Sequence, residues 1–125
     1  MSLSTMLKLS GALAIVLMSF FFTLKVLDYL DTLRLETSIH VRSATYGANC
    51  GAPTGNVTDK VQGACDEKVN CDYGVDVTKL GDTAPNCAKD FTVEYTCGAK
   101  PVLQAANVLR EANGKFIHLT CPRLF

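Results

Sequence analysis

The stretch Leu9–Leu24, LSGALAIVLMSFFFTL, is uncharged and is bounded by Lys8 and Lys25. A helix over this stretch spans roughly 24 Å, and one that begins at Leu3 spans about 33 Å, enough to cross a ~30 Å hydrocarbon layer if Lys8 reaches back to the headgroups. A cleaved secretory signal has small residues before its cleavage point, and the following sequence, SFFFTLKVLDYL, contains no such site. The stretch therefore predicts an uncleaved transmembrane signal anchor.

The predicted helix continues past the membrane as an amphipathic segment. Apolar residues recur there at a spacing of three to four; they are Val26, Leu27, Leu30 and Leu33. An apolar stripe outside the bilayer requires a partner, so residues 9–35 are a candidate contact with other subunits of a membrane complex. We assign the anchor and its extension to residues 1–36 and one extracytoplasmic domain to residues 37–125.

The cysteines indicate the compartment of this domain. All six lie between Cys50 and Cys121, and an even number in a small extramembrane domain predicts three disulfides. We therefore expect the amino terminus in the cytoplasm and the carboxyl-terminal domain in the periplasm or outside the cell. No C-x-x-C pair occurs, and His40 and His118 are isolated in the sequence, so we expect no metal site.

The charge composition excludes several classes of function. The chain has 12 basic and 12 acidic residues and a pI near 6.7; three of each sign precede residue 37, which leaves nine of each in the domain. We therefore expect no nucleic-acid partner. Neither histidine has a serine or cysteine motif beside it, and bridged cysteines are not nucleophiles, so we expect no catalytic residue and no cofactor.

The domain sequence predicts a β-rich fold with a short helix. Three segments alternate apolar and polar residues as half-buried strands do; they are residues 38–45 (SIHVRSAT), 71–77 (CDYGVDV) and 90–97 (DFTVEYTC). Residues 56–65 favour a short helix capped by Asn56 or Thr54. Residues 80–90 are predicted to form a long loop.

The carboxyl-terminal segment is compatible with two structures. Residues 101–112 form either a helix, which begins at proline and ends at Asn113-Gly114, or a strand. In the second case an Asn-Gly hairpin turn leads into another strand over residues 115–121. The turn chemistry slightly favours the hairpin.

Four short motifs follow one another in the domain: Ser43–Gly47 (SATYG), Cys65–Cys71 (CDEKVNC), Gly81–Lys89 (GDTAPNCAK) and Phe91–Cys97 (FTVEYTC). Their order and spacing resemble the A-x-Y-G, C-x5-C, D-P-C-x-G-x-x-K and L-x-V-x-Y-x-C segments of the rhamnose- or galactose-binding lectin domain first described in egg lectins. The resemblance implies a disulfide-stapled β-sandwich with a short helix.

The resemblance also implies how the cysteines pair: Cys50 with Cys87, Cys65 with Cys71, and Cys97 with Cys121. In the family the last bridge uses an amino-terminal strand, C-E-G-x-x-I-x-L-x-C-P. Here residues 112–122 (ANGKFIHLTCP) resemble that strand at the carboxyl end. We therefore expect a circularly permuted lectin fold, which neighbouring chain termini permit. Closure within one chain is the default, and exchange of the strand between two copies is the alternative.

The resemblance carries over five candidate sugar-binding residues: Tyr46, Gly47, Asp82, Lys89 and Asn113. Two positions of the family's sugar motif differ here: Asn113 stands in place of a glutamate, and Ala48 stands in place of an arginine. Each retained residue also has a structural explanation: Tyr46 at the core rim, Gly47 in a positive-φ turn, Asp82 in an Asx turn and Lys89 as a solvated charge.

Two functions remain open at this point. One is a non-catalytic, membrane-anchored binding module that recognises rhamnosyl or galactosyl glycans. The other is an accessory subunit of a larger membrane complex that uses its helix and its lectin-like domain for protein contacts. Asn56-Val57-Thr58 is a glycosylation sequon, for which helix capping by Asn56 is the preferred explanation.

Overall fold

The structure, a computed structural model, describes residues 2–122 of the chain. Residues 1 and 123–125, which belong to the predicted anchor and domain, lie outside the described residues. Six helix side chains are also left undescribed; they belong to residues 3, 7, 9 and 34–36. The chain divides into two units between Arg34 and Leu35, two residues before the predicted boundary.

The first unit is one continuous helix, α1 (Leu3–Glu36), of 34 residues. At about 1.5 Å per residue it is roughly 51 Å long, more than the ~30 Å apolar layer of a bilayer. The most apolar 18-residue window of the segment Ser4–Leu33 has a mean hydropathy of 2.0, and none of that window is buried. By length and composition, α1 is therefore able to span a membrane and to continue beyond it as a helix.

Within its described residues, 35–122, the second unit contains five strands and two α-helices, besides a 3-10 turn at Ala48–Cys50. In chain order they are β1 (Ile39–Tyr46), α2 (Thr58–Cys65), β2 (Asn70–Gly74), α3 (Val77–Leu80), β3 (Phe91–Cys97), β4 (Gln104–Val108) and β5 (Phe116–Thr120). One sheet has the strand order β1–β3–β4, and the other pairs β2 with β5; all pairings are antiparallel. The predicted β-rich fold with a short helix is confirmed.

The core lies where the two sheets face each other. Phe91 on β3 is fully buried, and its ring stacks on Tyr73 of β2 with 5.8 Å between the centroids. The ring of Tyr46, at the end of β1, meets Phe91 edge-on at 6.3 Å. Helix α2 buries Val61 and Cys65 against the same core. The aromatic group therefore joins both sheets and ends beside the loops that follow β1.

Three disulfides close the domain: Cys50–Cys87, Cys65–Cys71 and Cys97–Cys121, with sequence separations of 37, 6 and 24. These are the pairs that the lectin resemblance implies. The third bridge ties the end of β3 to the residue after β5 within one chain, so the carboxyl-terminal strand belongs to the same core as the central strand.

The strand predicted over residues 71–77 is shorter than expected and ends at Gly74. The reason is local: the Asp76 carboxylate accepts a hydrogen bond from the Thr78 amide at 2.9 Å and caps α3, which a continued strand would exclude. The predicted long loop consequently begins at Gly81, after α3 ends.

The predicted hairpin at the carboxyl end is wrong, as is the alternative helix over residues 101–112. Both strands form, but β4 pairs with β3 and β5 pairs with β2. The Asn113-Gly114 turn is anchored to the segment that follows β2, because the Gly114 amide donates to the Val75 carbonyl at 2.8 Å and the Asn113 side chain accepts from the Val77 amide at 2.9 Å. The turn therefore connects two sheets.

The predicted helix cap at Asn56 is also wrong. Helix α2 begins after Val57 without a side-chain cap. The Asn56 amide group instead pairs with the backbone of Tyr46, accepting from its N–H at 2.9 Å and donating to its carbonyl at 3.0 Å. Thr58, the last residue of the sequon, accepts from the Ala44 amide at 3.0 Å. The two polar residues of the sequon are therefore used to hold the outer edge of β1.

Candidate functional site

A cleft of about 430 Å³ opens beside the carboxyl end of β1. Four of the five predicted site residues line it: Tyr46, Asp82, Lys89 and Asn113. They come from four separate parts of the chain, namely β1, the loop after α3, the residues before β3 and the turn before β5. The fold thus brings together positions that the sequence separates by up to 67 residues, from 46 to 113.

Lys89 is the organising residue of this cleft. Its side chain is 5% exposed, and its ammonium donates to Asp82 Oδ1 at 2.6 Å, to the Ala84 carbonyl at 2.8 Å and to the Cys87 carbonyl at 3.1 Å. These three bonds use all the protons of the ammonium group. The interpretation of Lys89 as a solvated charge is therefore wrong: it is a buried clamp that shapes the loop.

Gly47 lies behind the cleft and supports Lys89. Its φ of +86° is in the left-handed region, and a Cβ at this position would lie 3.2 Å from Lys89 Cδ and 3.3 Å from Lys89 Cγ. The Gly47 amide also donates to the Asp90 carbonyl at 2.9 Å. Glycine is needed here both for the backbone conformation and for the close passage of the lysine stem. The residue positions the site and does not line it.

Tyr46 presents a single polar atom to the cleft. Only 1% of the residue is exposed, and its hydroxyl has no hydrogen-bond partner within residues 2–122 although no buried side-chain oxygen in that range is left unpaired. The oxygen therefore reaches the cleft surface. Burial raises the pKa of Tyr46, and the negative charge of Glu111 raises it further. The phenol stays protonated at neutral pH and is available both to donate and to accept.

Asp82 keeps one carboxylate oxygen for other contacts. Oδ1 accepts from Lys89 and, at 3.3 Å, from the Ala84 amide, which is the Asx turn suggested by the sequence. Oδ2 has no partner within the described residues, and 45% of the side chain is exposed. The hydrogen bond from Lys89 holds the pKa of Asp82 below its ordinary value of 3.8, so the carboxylate is ionised at neutral pH.

The turn before β5 contributes Asn113 and Glu111 to the opposite wall. Asn113 uses its side-chain oxygen to bind the Val77 amide, which leaves its Nδ2 hydrogens without a partner in the described chain. Glu111 is exposed and accepts from the Asn113 amide at 3.3 Å. The sequence prediction missed Glu111. Its signal was its position two residues before the place where the resembling motif carries a glutamate.

The cleft is suited to a neutral ligand with several hydroxyl groups. Acceptors are supplied by Asp82 and Glu111, a donor by Asn113, and a group that does both by Tyr46. The Lys89 charge is already paired, so an anionic ligand finds no free cation among these residues. Within residues 2–122, no three His, Cys, Asp or Glu side chains come close enough to hold a metal ion.

No protein-family model, curated protein or solved structure matches the chain. The lectin resemblance therefore depends on the four motifs alone.

Proposed function

We propose that this protein is a membrane-anchored, extracytoplasmic binding module whose cleft takes a neutral, polyhydroxylated ligand, with rhamnosyl or galactosyl glycans as the first candidates. The observation that carries the proposal is the convergence of Tyr46, Asp82, Lys89 and Asn113 on one cleft. The lectin resemblance names these four residues from their motif positions alone. Helix α1 supplies the anchor.

The chemistry of the cleft supports a sugar. A bound sugar loses the hydrogen bonds that its hydroxyls make with water, so a site must replace them with donors and acceptors held in place. Tyr46 is fixed by its burial beside Phe91, Asp82 by Lys89, and Asn113 by the Val77 amide. A volume of about 430 Å³ also lies in the range of small-molecule sites, roughly 300–1,000 Å³.

The cleft is open and offers a ligand only a few polar groups, which implies weak binding at each site. Anchoring many copies in one membrane compensates, because a multivalent glycan that is held at one site meets the next at a high effective concentration. We therefore expect the protein to retain polymeric glycans much better than free monosaccharides.

The test is binding of immobilised rhamnosyl and galactosyl glycans to the full chain in lipid nanodiscs, which avoids detergents with sugar headgroups. Tyr46→Phe removes only the free hydroxyl of the cleft, so we expect binding to fall by about tenfold, the effect of one hydrogen bond. Tyr73→Phe is the matched control, because Tyr73 also packs on Phe91 but does not line the cleft.

The two variants distinguish binding in the cleft from binding elsewhere on the protein. Loss in Tyr46→Phe with retention in Tyr73→Phe supports the cleft as the site. Equal binding by both variants and the wild type places the ligand elsewhere. No binding of any neutral glycan to the nanodisc-embedded wild type refutes the proposal.

A second candidate, an accessory subunit of a membrane complex, is favoured by the helix. Leu27 and Leu30 follow the charged Lys25, and each is more than half exposed, 54% and 53% respectively. An apolar stripe of this kind beyond a bilayer is stabilised by a protein partner. Solubilisation of native membranes in mild detergent tests this: a subunit elutes in a stoichiometric complex with another protein, whereas a stand-alone module does not.

A further inference from the structure

The two outer edges of the three-stranded sheet are treated differently. On β1, side chains and loop atoms occupy the backbone groups that face away from β3. The Val41 amide donates to Asp66 Oδ1 at 2.8 Å, and Gln62 Nε2 donates to the Val41 carbonyl at 3.0 Å. Further along, Thr58 and Asn56 bind the backbone of the strand in the same way. This edge is therefore closed to another strand.

On the opposite edge, β4, no side chain or loop of the described residues bonds to the outer backbone groups, although β5 of the other sheet lies close to the strand. Its residues pair with β3, and the backbone groups on the other side of β4 form no hydrogen bond with any residue from 2 to 122. The strand sequence Gln104–Val108, QAANV, contains no charge and no proline, the usual means by which an exposed edge is protected. The outer backbone groups of β4 are therefore available to pair with another strand.

The surface beside this edge carries three apolar side chains and one polar one, Asn107. Leu103, Ala105, Asn107 and Leu109 alternate along one face of β4 and its two flanking positions, and all four are exposed. Leu103 is 53% exposed and Leu109 is 75% exposed, among the highest values of any apolar residue in the domain. Each end of the open edge therefore carries an uncovered leucine, with small side chains between them.

We propose that β4 pairs antiparallel with β4 of a second copy of this chain, about a two-fold axis at Ala106. Two identical antiparallel strands related by a two-fold axis must centre on one residue, since paired residues share a face. Centring on Ala106 places Leu103 of each copy opposite Leu109 of the other. In each of the two pairs, one leucine then covers the other. The two three-stranded sheets become one sheet of six strands.

Neighbouring registers are less favourable because of charge. Centring on Ala105 places Lys100 opposite Arg110 of the other copy, and this like-charge pair occurs twice. Centring on Asn107 places Leu103 opposite Glu111, which leaves the leucine uncovered. Only the register at Ala106 joins the exposed leucines and separates the like charges. This self-complementarity selects a second copy as the occupant of the edge.

Thiol crosslinking of the full chain in membranes tests both the pairing and its direction. In this register the two copies of residue 105 are diagonal neighbours about 7–8 Å apart, whereas the two copies of residue 99 are on the order of 40 Å apart. The wild-type domain has no free cysteine in the described chain. We therefore expect a bismaleimide of about 8 Å reach to join Ala105→Cys, and likewise Asn107→Cys, but not Ala99→Cys.

A second substitution distinguishes the edge from chance collision. Leu109→Lys introduces two charges into each dimer, and we expect it to lower crosslinking of Ala105→Cys by about tenfold or more. Phe116→Lys is the matched control, because Phe116 is 72% exposed but lies on β5 of the other sheet; it should leave the yield unchanged.

Crosslinking of residue 99 as efficiently as residue 105 indicates parallel pairing or random collision and overturns the proposal. Crosslinking of residue 105 only to other proteins assigns the edge to a different partner, with the same consequence. Absence of any crosslink at residues 105 and 107 overturns it as well. The outcome does not depend on glycan binding, since neither residue lines the cleft.

Discussion

Replacement of Lys89 by methionine should unfold the cleft loop and destabilise the whole domain. Methionine keeps the apolar stem that passes Gly47 and Tyr46, so the packing of the side chain is largely retained. What is lost is the ammonium group, with its ion pair to the half-exposed Asp82 and its bonds to the Ala84 and Cys87 carbonyls. The substitution therefore isolates the polar function of a buried lysine.

The size of the effect follows from the bonds to the two carbonyls. A hydrogen bond to a charged group contributes about 1.5 kcal/mol at the low end of its range, and two such bonds contribute about 3 kcal/mol. Water reaches part of the loop and replaces some of this, so we expect a loss of about 2–3 kcal/mol. For a domain of this size that corresponds to a fall in Tm of roughly 10–20 °C.

The assay is denaturant unfolding of the full chain in nanodiscs, followed by the near-ultraviolet circular dichroism of the domain's tyrosines, with disulfides intact. Lys100→Met is the control, because Lys100 is exposed and should change the free energy of unfolding by less than about 0.5 kcal/mol. If Lys89→Met unfolds at the same denaturant concentration as Lys100→Met, the lysine does not hold the loop and the description of the cleft is wrong.

Three further predictions concern the same domain. The Asp82 pKa is lowered in the folded state, so its ion pair with Lys89 stabilises the domain above the unfolded pKa and is lost as pH falls; we expect constant stability from pH 7 to about 5, a decline below the ordinary value of 3.8, and a shallower decline in Asp82→Asn. Asn56→Ala should cost about 1–2 kcal/mol through loss of two backbone hydrogen bonds, measured by denaturant unfolding, and an unchanged free energy of unfolding would contradict the role given to Asn56. Removing the widest bridge by replacing Cys50 and Cys87 should destabilise by about 4 kcal/mol, against about 2.5 kcal/mol for the bridge with a separation of 6, and an inverted order in thermal unfolding would contradict the loop-entropy explanation.

Local pattern was sufficient for the elements themselves. The uncharged run that begins at Leu9 is helical as expected, and the alternation around Val41 and Val93 forms strands because a strand buries every second residue on one face. The resemblance carried by the four motifs and by the carboxyl-terminal segment also implied the observed bridges. The helix and the strands depend on residues that are near in sequence, and the disulfide pairing was inferred from a resemblance that spans several motifs.

Tertiary structure decided how the elements combine. The Asn113-Gly114 turn has the chemistry of a hairpin, yet β4 and β5 join different sheets, because the partner of a strand is set by which buried faces meet across the core. Tertiary structure also decided the role of Asn56, which stands where a helix cap is expected but binds the backbone of Tyr46. Glu111 lines the cleft only because of the position of the Asn113-Gly114 turn. Periodicity identifies the face that a residue presents. The neighbour that the residue contacts depends on chain segments far away in sequence, and a single sequence does not indicate which of those segments come close in space.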